Sequence, residues 1–318
     1  MTVPLIALTS YYNPFRGQRR RRNYDLFRRY LGVPLVTVEW SPDGRFDLSP
    51  ADADVMIRVE GGDVMWQKER LLNRGLARIR DEGLALDVAM MDADAVFVAP
   101  DWADRVSAAL DASAVAQCFS RVDYLPQIPA DSYTHAQLAE VAPERSMPSL
   151  AHAMSQGKPF FTADPAMLQV MAMTSHPMSG NPGMAVAVRL AKLPHFELYD
   201  GNIVGGGDML LTGASHGALE EVFRHRHFSP RHQADVIAWA ARCLPSQARI
   251  GWADNRVLHL WHGTMEARQY SQRQLILGPR NYDPQRDLDR SGEALRFQDS
   301  AAELRAAVGA YLASRNDA

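Results

Sequence analysis

The tightest constraint on the fold is the alternation of short apolar runs with amphipathic stretches through the first third of the chain. Val3 to Leu8 is apolar and ends at the turn-prone Thr9-Ser10-Tyr11-Tyr12-Asn13-Pro14. Gly17 to Leu31 carries Tyr24, Phe27, Tyr30 and Leu31 at helical spacing, and Gly32 stops it. Pro34 to Trp40 and Asp54 to Val59 read as further strands. Trp66 to Ile79 is an amphipathic helix with Leu71, Leu72, Leu76 and Ile79 on its inner face. Leu86 to Val98 is the most apolar strand, and Pro100-Asp101 opens a helix to Leu110. Strand-helix alternation of this kind predicts an α/β fold, a parallel sheet with helices on both faces. Ligands of such sheets bind beyond the C-terminal ends of the strands.

The second half is less regular. Ala114 to Phe119 is another apolar strand, and Met184 to Leu190 suits strand or helix. From Tyr124 to Met178 prolines are frequent and periodicity weakens, which reads as an excursion from the sheet. Val236 to Cys243 is helical, Arg256 to Leu260 a late strand, and Ala301 to Arg315 an Ala-rich helix. No repeat or linker divides the chain, so one domain is expected over 1–318.

Charge and cysteine content exclude several classes. Lys plus Arg is 34 against 37 acidic residues, a net charge of −3, which disfavours a nucleic-acid binder. Cys118 and Cys243 make neither a disulfide framework nor a cysteine zinc site, and they suit a reducing, cytoplasmic compartment. The first residues lack the basic region of a signal peptide, and no apolar run approaches the roughly 20 residues of a spanning helix. The conspicuous local charge is Arg16, Arg19 to Arg22, Arg28 and Arg29. It is either a solvated helix face or a patch for peripheral contact with anionic membrane.

Four segments could carry chemistry. Asp92 and Asp94 sit two apart at the end of the most apolar strand, where an extended chain would point both to one face. Paired carboxylates there suit a hard divalent cation, or form a solvated turn. His259 and His262, three apart, could converge on a cation such as Mn²⁺ or serve as ordinary hydrogen-bonding residues. Gly205-Gly206-Gly207 permits close backbone approach before Asp208, which is either a helix cap or a general base. Trp66 to Asn73 places Lys68 and Arg70 near a helix N-terminus, where anions are favoured. The rival cluster His225 to His232 has interleaved arginines, which disfavour a cation, and reads as a surface segment.

In this order the four segments resemble the metal-dependent glycosyltransferases of the GT-A fold, particularly the β-1,4-galactosyltransferase branch and related bacterial sugar transferases. That branch has a helix motif of the form F-N-R-A-K-L-L-N, then D-x-D, then G-W-G-G-E-D, then a metal-binding pair three apart. The matching segments are Trp66 to Asn73, Asp92 to Asp94, Gly205 to Asp208, and His259 with His262, within roughly residues 3–265. The resemblance implies a Rossmann-like mixed, mostly parallel sheet flanked by helices, with a nucleotide-sugar-binding half (1–120), an acceptor and metal half (121–265) and a helical extension (266–318). It implies Mn²⁺ or Mg²⁺ on Asp94, His259 and His262, with Asp92 near the ribose or the metal's water shell. Thr9, Ser10, Tyr11 and Glu39 would lie around the uridine of a UDP-sugar donor, and Arg58 and Lys68 around the base or diphosphate. Asp208 would be the base that activates a hydroxyl of a glycan or lipid-linked acceptor, with inversion. The sequence departs from the family at Met209 and Leu210, where further acids are expected, and lacks the tryptophan among the glycines. A sugar-phosphate nucleotidyltransferase, or a non-catalytic carbohydrate- or lipid-binding protein on the same scaffold, remains as an alternative.

Overall fold

The computed structural model describes residues 3–170, 176–244, 249–264, 266–270 and 272–315. Its principal strands, in chain order, are β1 (Val3–Tyr12), β2 (Leu35–Ser41), β3 (Val55–Glu60), β4 (Ala85–Met91), β5 (Ala95–Phe97), β6 (Val115–Gln117), β7 (Arg121–Tyr124), β8 (Arg145–Pro148), β9 (Ala185–Arg189), β10 (Gly251–Trp252) and β11 (Arg256–His259). Seven form one sheet in the order β10-β6-β9-β4-β1-β2-β3. The β4-β1-β2-β3 block is parallel throughout, and β9 runs antiparallel between β4 and β6. The expected α/β architecture, a mostly parallel sheet flanked by helices, is therefore present. Every residue of β2 is buried, as a strand covered on both faces requires.

Helices α1 (Gln18–Tyr30) and α3 (Trp102–Ala112) cover one face through Tyr24, Phe27, Trp102, Val106 and Leu110. Helix α2 (Lys68–Glu82) covers the other through Leu71, Leu72, Leu76 and Ile79. Its Gly75 lies so close to β1 that an added Cβ would stand 2.2 Å from Leu8 Cδ1. Helices Gly207–His216, Leu219–Arg226 and Pro230–Cys243 extend this second layer with Met209, Leu210, Val222 and Trp239. The last of them begins earlier than its apolar periodicity predicts, because Ser229 caps it and Pro230 fits its first turn. No helix among the described residues is long and apolar enough to cross a membrane.

Two local expectations change. The run Leu86 to Val98 is not one strand. β4 ends at Met91, the chain turns through Asp92-Ala93-Asp94, and β5 joins a second sheet ordered β5-β11-β7-β8. The region after Tyr124 is not wholly an excursion either, since β8 completes that second sheet beside β7. The ambiguous segment near Met184 is the strand β9.

The C-terminal region packs back onto the loop before α2. Leu277, Leu295, Leu304 and Val308 share a core with Met65, Ile203 and Val204. Buried Gln67 donates to Leu295 O (2.9 Å) and accepts from Leu295 N–H (3.0 Å), which fixes the start of α2.

Candidate active site

The turn at Asp92 to Asp94 is held by three backbone bonds. Asp92 N–H donates to Met184 O (2.8 Å), Ala95 N–H to Asp92 O (3.2 Å) and Leu260 N–H to Asp94 O (2.9 Å). β11 pairs antiparallel with β5, His259 opposite Ala95, and so places His259 next to Asp94. Asn23 on α1 donates to Trp261 O (3.1 Å) and pins the following turn, which returns His262 to the same carboxylate. His262 Nε2 lies 3.5 Å from Asp94 Oδ2, and His259 Nε2 lies 3.9 Å from Asp94 Oδ1. One ligand atom from each of the three residues falls within 4.8 Å of the others.

The electrostatics of this triangle suit a cation. Burial, and then the neighbouring Asp92, push the Asp94 carboxyl up to about 7. Its Oδ1 is buried with no hydrogen-bond partner among the described residues. Burial and Arg268 lower His259 to about 3, and burial, Arg268 and His259 hold His262 well below its ordinary value. Both imidazoles are therefore neutral near pH 7, the form that ligates. One carboxylate with two imidazoles is a donor set that fits Mn²⁺ or a similar divalent ion.

Asp92 behaves differently from its neighbour. The turn replaces the extended geometry expected from the sequence, and Asp92 pairs with Lys68 Nζ from the first turn of α2. Burial works against the Lys68 charge, but Asp92, Asp208 and Glu69 outweigh it and raise its pKa above the ordinary lysine range. Around this pair lies a cavity lined by Ser10, Tyr11 and Tyr12 from the end of β1, by Trp66 and Gln67, and by Asp94 and His262. Its cationic wall is Lys68, Arg20, Arg268 and Arg315. Arg315 also stacks on Trp66, 4.9 Å from the ring centroid.

Three residues expected here have other work. Thr9 is fully buried, and its hydroxyl donates to Met91 O (2.8 Å) between β1 and β4. Glu39 Oε1 accepts from the N–H groups of Asp47 (2.5 Å) and Leu48 (3.0 Å). Arg58 donates to Leu48 O (3.0 Å) and lies over Phe46. Glu39 and Arg58 thus fasten the loop after β2 and do not line the cavity. Ser10, Tyr11, Lys68 and Asp92 do.

Asp208 belongs to a second cavity, with Tyr124, Asn181, Arg226, Tyr270 and Arg273. The glycines before it admit close packing. Gly205 and Gly206 have φ of 87° and 101°, and an added Cβ at Gly205 would meet the Trp66 ring at 3.1 Å. At Gly183 a Cβ would stand 1.9 Å from Asp208 Oδ2, so that glycine makes the space for the carboxylate. Lys68 lines the first cavity and is held charged by Asp92 and Asp208 together.

Sequence reasoning missed Glu69, Arg268 and Arg315. Glu69 is buried on α2, its Oε1 2.4 Å from where a Gly207 Cβ would be, and burial raises it to about 7. It supplies from another element a second acid beside the glycines. Its place one residue after Lys68 was the available signal. Arg268 and Arg315 come from the chain's last part, where no spacing points to the site.

The arginine run does not form one patch. Arg16 pairs with Asp43 (3.4 Å) and Asp47 (3.1 Å), Arg21 with Asp25 (3.0 Å) and Asp52 (3.0 Å), and Arg28 with Asp54 (2.9 Å). Arg20 lines the first cavity, and Arg19 lies over Trp261 at 3.9 Å. The segment His225 to His232 is not wholly superficial: Arg226 and His232 are 4% and 1% exposed.

No family model matches the chain, and no curated protein does. Solved structures share distant similarity. One, from Desulfovibrio desulfuricans G20, is described as a nucleotide-diphospho-sugar transferase: 14% identity, 39% of this chain, 59% of that chain, TM-score 0.26. S. aureus TarS 1-349 in complex with UDP shows 11% identity over 87% of this chain and 64% of its own, TM-score 0.31. Mannose-1-phosphate geranyltransferase from Thermus thermophilus shows 10% identity over 82% and 75%, TM-score 0.31. The chain thus spans less than two thirds of the first two. Likeness at this level assigns neither a family nor an activity.

Proposed function

We propose that this chain is a metal-dependent glycosyltransferase that moves a sugar from a nucleotide-sugar, a UDP-sugar, to a hydroxyl acceptor. The observation that carries this reading is the Asp94–His259–His262 triangle opening onto a cavity with aromatic and cationic walls. A cation beside cationic side chains suits a diphosphate, whereas a simple sugar-binding site needs neither. Asp94, His259 and His262 would hold Mn²⁺ or Mg²⁺, which would neutralise charge developing on the leaving diphosphate. Lys68, held charged by its three carboxylates, would act from the opposite wall. Tyr11 and Tyr12 would flank the base, and Ser10 would contact the nucleoside. Asp208, in the second cavity, would take the proton from the acceptor hydroxyl as it attacks the anomeric carbon from the far face, inverting it.

A thermal-shift screen of nucleotides with and without Mn²⁺ tests this. Stabilisation by UDP only with metal supports the transferase. Preference for a nucleoside triphosphate would favour a nucleotidyltransferase, and no nucleotide response a binding protein. Asp208→Asn should keep UDP binding and lose transfer to the acceptor.

A further inference from the structure

Arg226 is a buried guanidinium whose charge no described carboxylate answers. It is 4% exposed and donates to two backbone carbonyls, His176 O (2.9 Å) and His225 O (3.3 Å), while lying over the Phe161 ring at 5.0 Å. Arg273, from the turn Arg273–Ile276, lines the same cavity. Its guanidinium sits over Tyr270 at 4.8 Å and against the backbone of Gly205 and Gly206. Among the described residues neither arginine has a carboxylate within ion-pair distance. The two repel each other, and burial together with Arg273 lowers Arg226 to about 10. Other part-buried arginines do have carboxylate partners, as Arg70 with Asp200 (3.1 Å) and Arg189 with Asp87 (2.8 Å). Arg226 is a buried cation without an anionic partner, which is costly. Half-buried Arg273 also meets the cost of burial but is already held charged by Tyr311, Tyr270 and Asp208. The cavity's unfilled demand for an anion therefore centres on Arg226, with Arg273 beside it.

Asp208 is the acid lining this cavity, and its own negative charge keeps an anion from settling beside it. A ligand that satisfies both ends carries an oxyanion for the arginines and an uncharged hydroxyl for Asp208. We propose that the cavity between Asp208 and the Arg226–Arg273 pair takes a hydroxylated oxyanion, a sugar bearing a carboxylate or a phosphate. This names the acceptor class of the transferase reading and rests on that reading only for the transfer step. Binding of the anion stands on its own.

Calorimetric titration of glucuronate, glucose 6-phosphate and glucose separates the cases, run with and without UDP and Mn²⁺. At least one anion binds the wild-type chain about tenfold or more tightly than glucose, and the tighter of the two tells carboxylate from phosphate. Arg226→Gln and Arg273→Gln each weaken that anion by about tenfold or more, and Arg226→Gln leaves UDP affinity unchanged. Arg226→Lys, which keeps the charge, retains more anion binding than Arg226→Gln and covers the case in which the glutamine variant does not fold. The inference is overturned if neither anion binds, if glucose binds as well, if UDP displaces the anion, or if both glutamine variants bind it as the wild type does. Loss of UDP binding in the wild type with anion binding intact would sink the transferase reading alone.

Discussion

Replacing Asp94 by Asn should stabilise the metal-free protein and abolish its response to metal, two effects of opposite sign from one oxygen-to-nitrogen exchange. The side chain is 15% exposed, and its Oδ1 has no hydrogen-bond partner among the described residues. The exchange therefore changes mainly the charge. Asp94 is raised from 3.8 to about 7, first by burial and then by Asp92. A carboxyl raised on folding costs nothing when both states are protonated, below about pH 4. Its cost grows between 3.8 and 7 and is complete above that. About 3 pKa units correspond to at most about 4 kcal/mol. For a chain of 318 residues the unfolding entropy is about 0.7 kcal/mol/K, so the variant's Tm at pH 8 in EDTA should rise by up to about 6 °C. Mn²⁺ at about a hundred times its Kd should raise the wild-type Tm by about 4 °C, equivalent to about 2.7 kcal/mol, and leave the variant unmoved. Scanning fluorimetry at pH 4 and pH 8, in EDTA and in Mn²⁺, gives all four values. An Asp94→Asn protein that is less stable than wild type in EDTA at pH 8, or that still responds fully to Mn²⁺, refutes the reasoning.

His232 tests the electrostatics away from the site. Burial lowers it from 6.5 to about 3, its ring stacked on Phe228 at 4.2 Å. Its neutral form thus favours folding above pH 6.5, and up to about 5 kcal/mol is lost as pH falls from 6.5 towards 3. His232→Phe should flatten the acid limb of the Tm–pH curve, and an unchanged limb would remove burial of this ring as the cause. Gly183→Ala puts a methyl 1.9 Å from Asp208 Oδ2 and must displace it. Transfer should fall about a hundredfold while UDP binding with Mn²⁺ persists, and equal loss of both would show that Asp208 is not acting separately. Gly75→Ala brings a methyl within 2.2 Å of Leu8 and should lower stability by about 1–3 kcal/mol, read from urea unfolding.

The parallel block was legible because its inner strands β1, β2 and β4 are largely buried apolar runs and its helices have apolar inner stripes. The break at Asp92 was not, since a strand that leaves one sheet and enters another has the same apolar run as one long strand. Asp94, His259 and His262 were proposed together from spacing and family order, and that their side chains meet follows from the pairing of β11 with β5. Glu39 and Arg58 were misplaced because a strand end near a ligand crevice also has to hold its own loop. The pairing of the arginine run was not legible for a related reason. Its partners Asp43, Asp47, Asp52 and Asp54 lie in a separate loop, and only folding brings them alongside. Arg268, Arg315 and Arg273 reach the site through packing of the C-terminal region, which leaves no periodic trace. Glu69 was hidden inside a helix motif read for its lysine.

The central claim is that a cation held by Asp94, His259 and His262 binds the diphosphate of a nucleotide. Calorimetric titration of UDP into the wild-type chain, in Mn²⁺ and then in EDTA, tests it most directly, with Asp94→Asn in parallel. The account predicts a saturable isotherm in Mn²⁺ only, and none for the variant. Equal UDP affinity with and without metal, or in the variant, would contradict it.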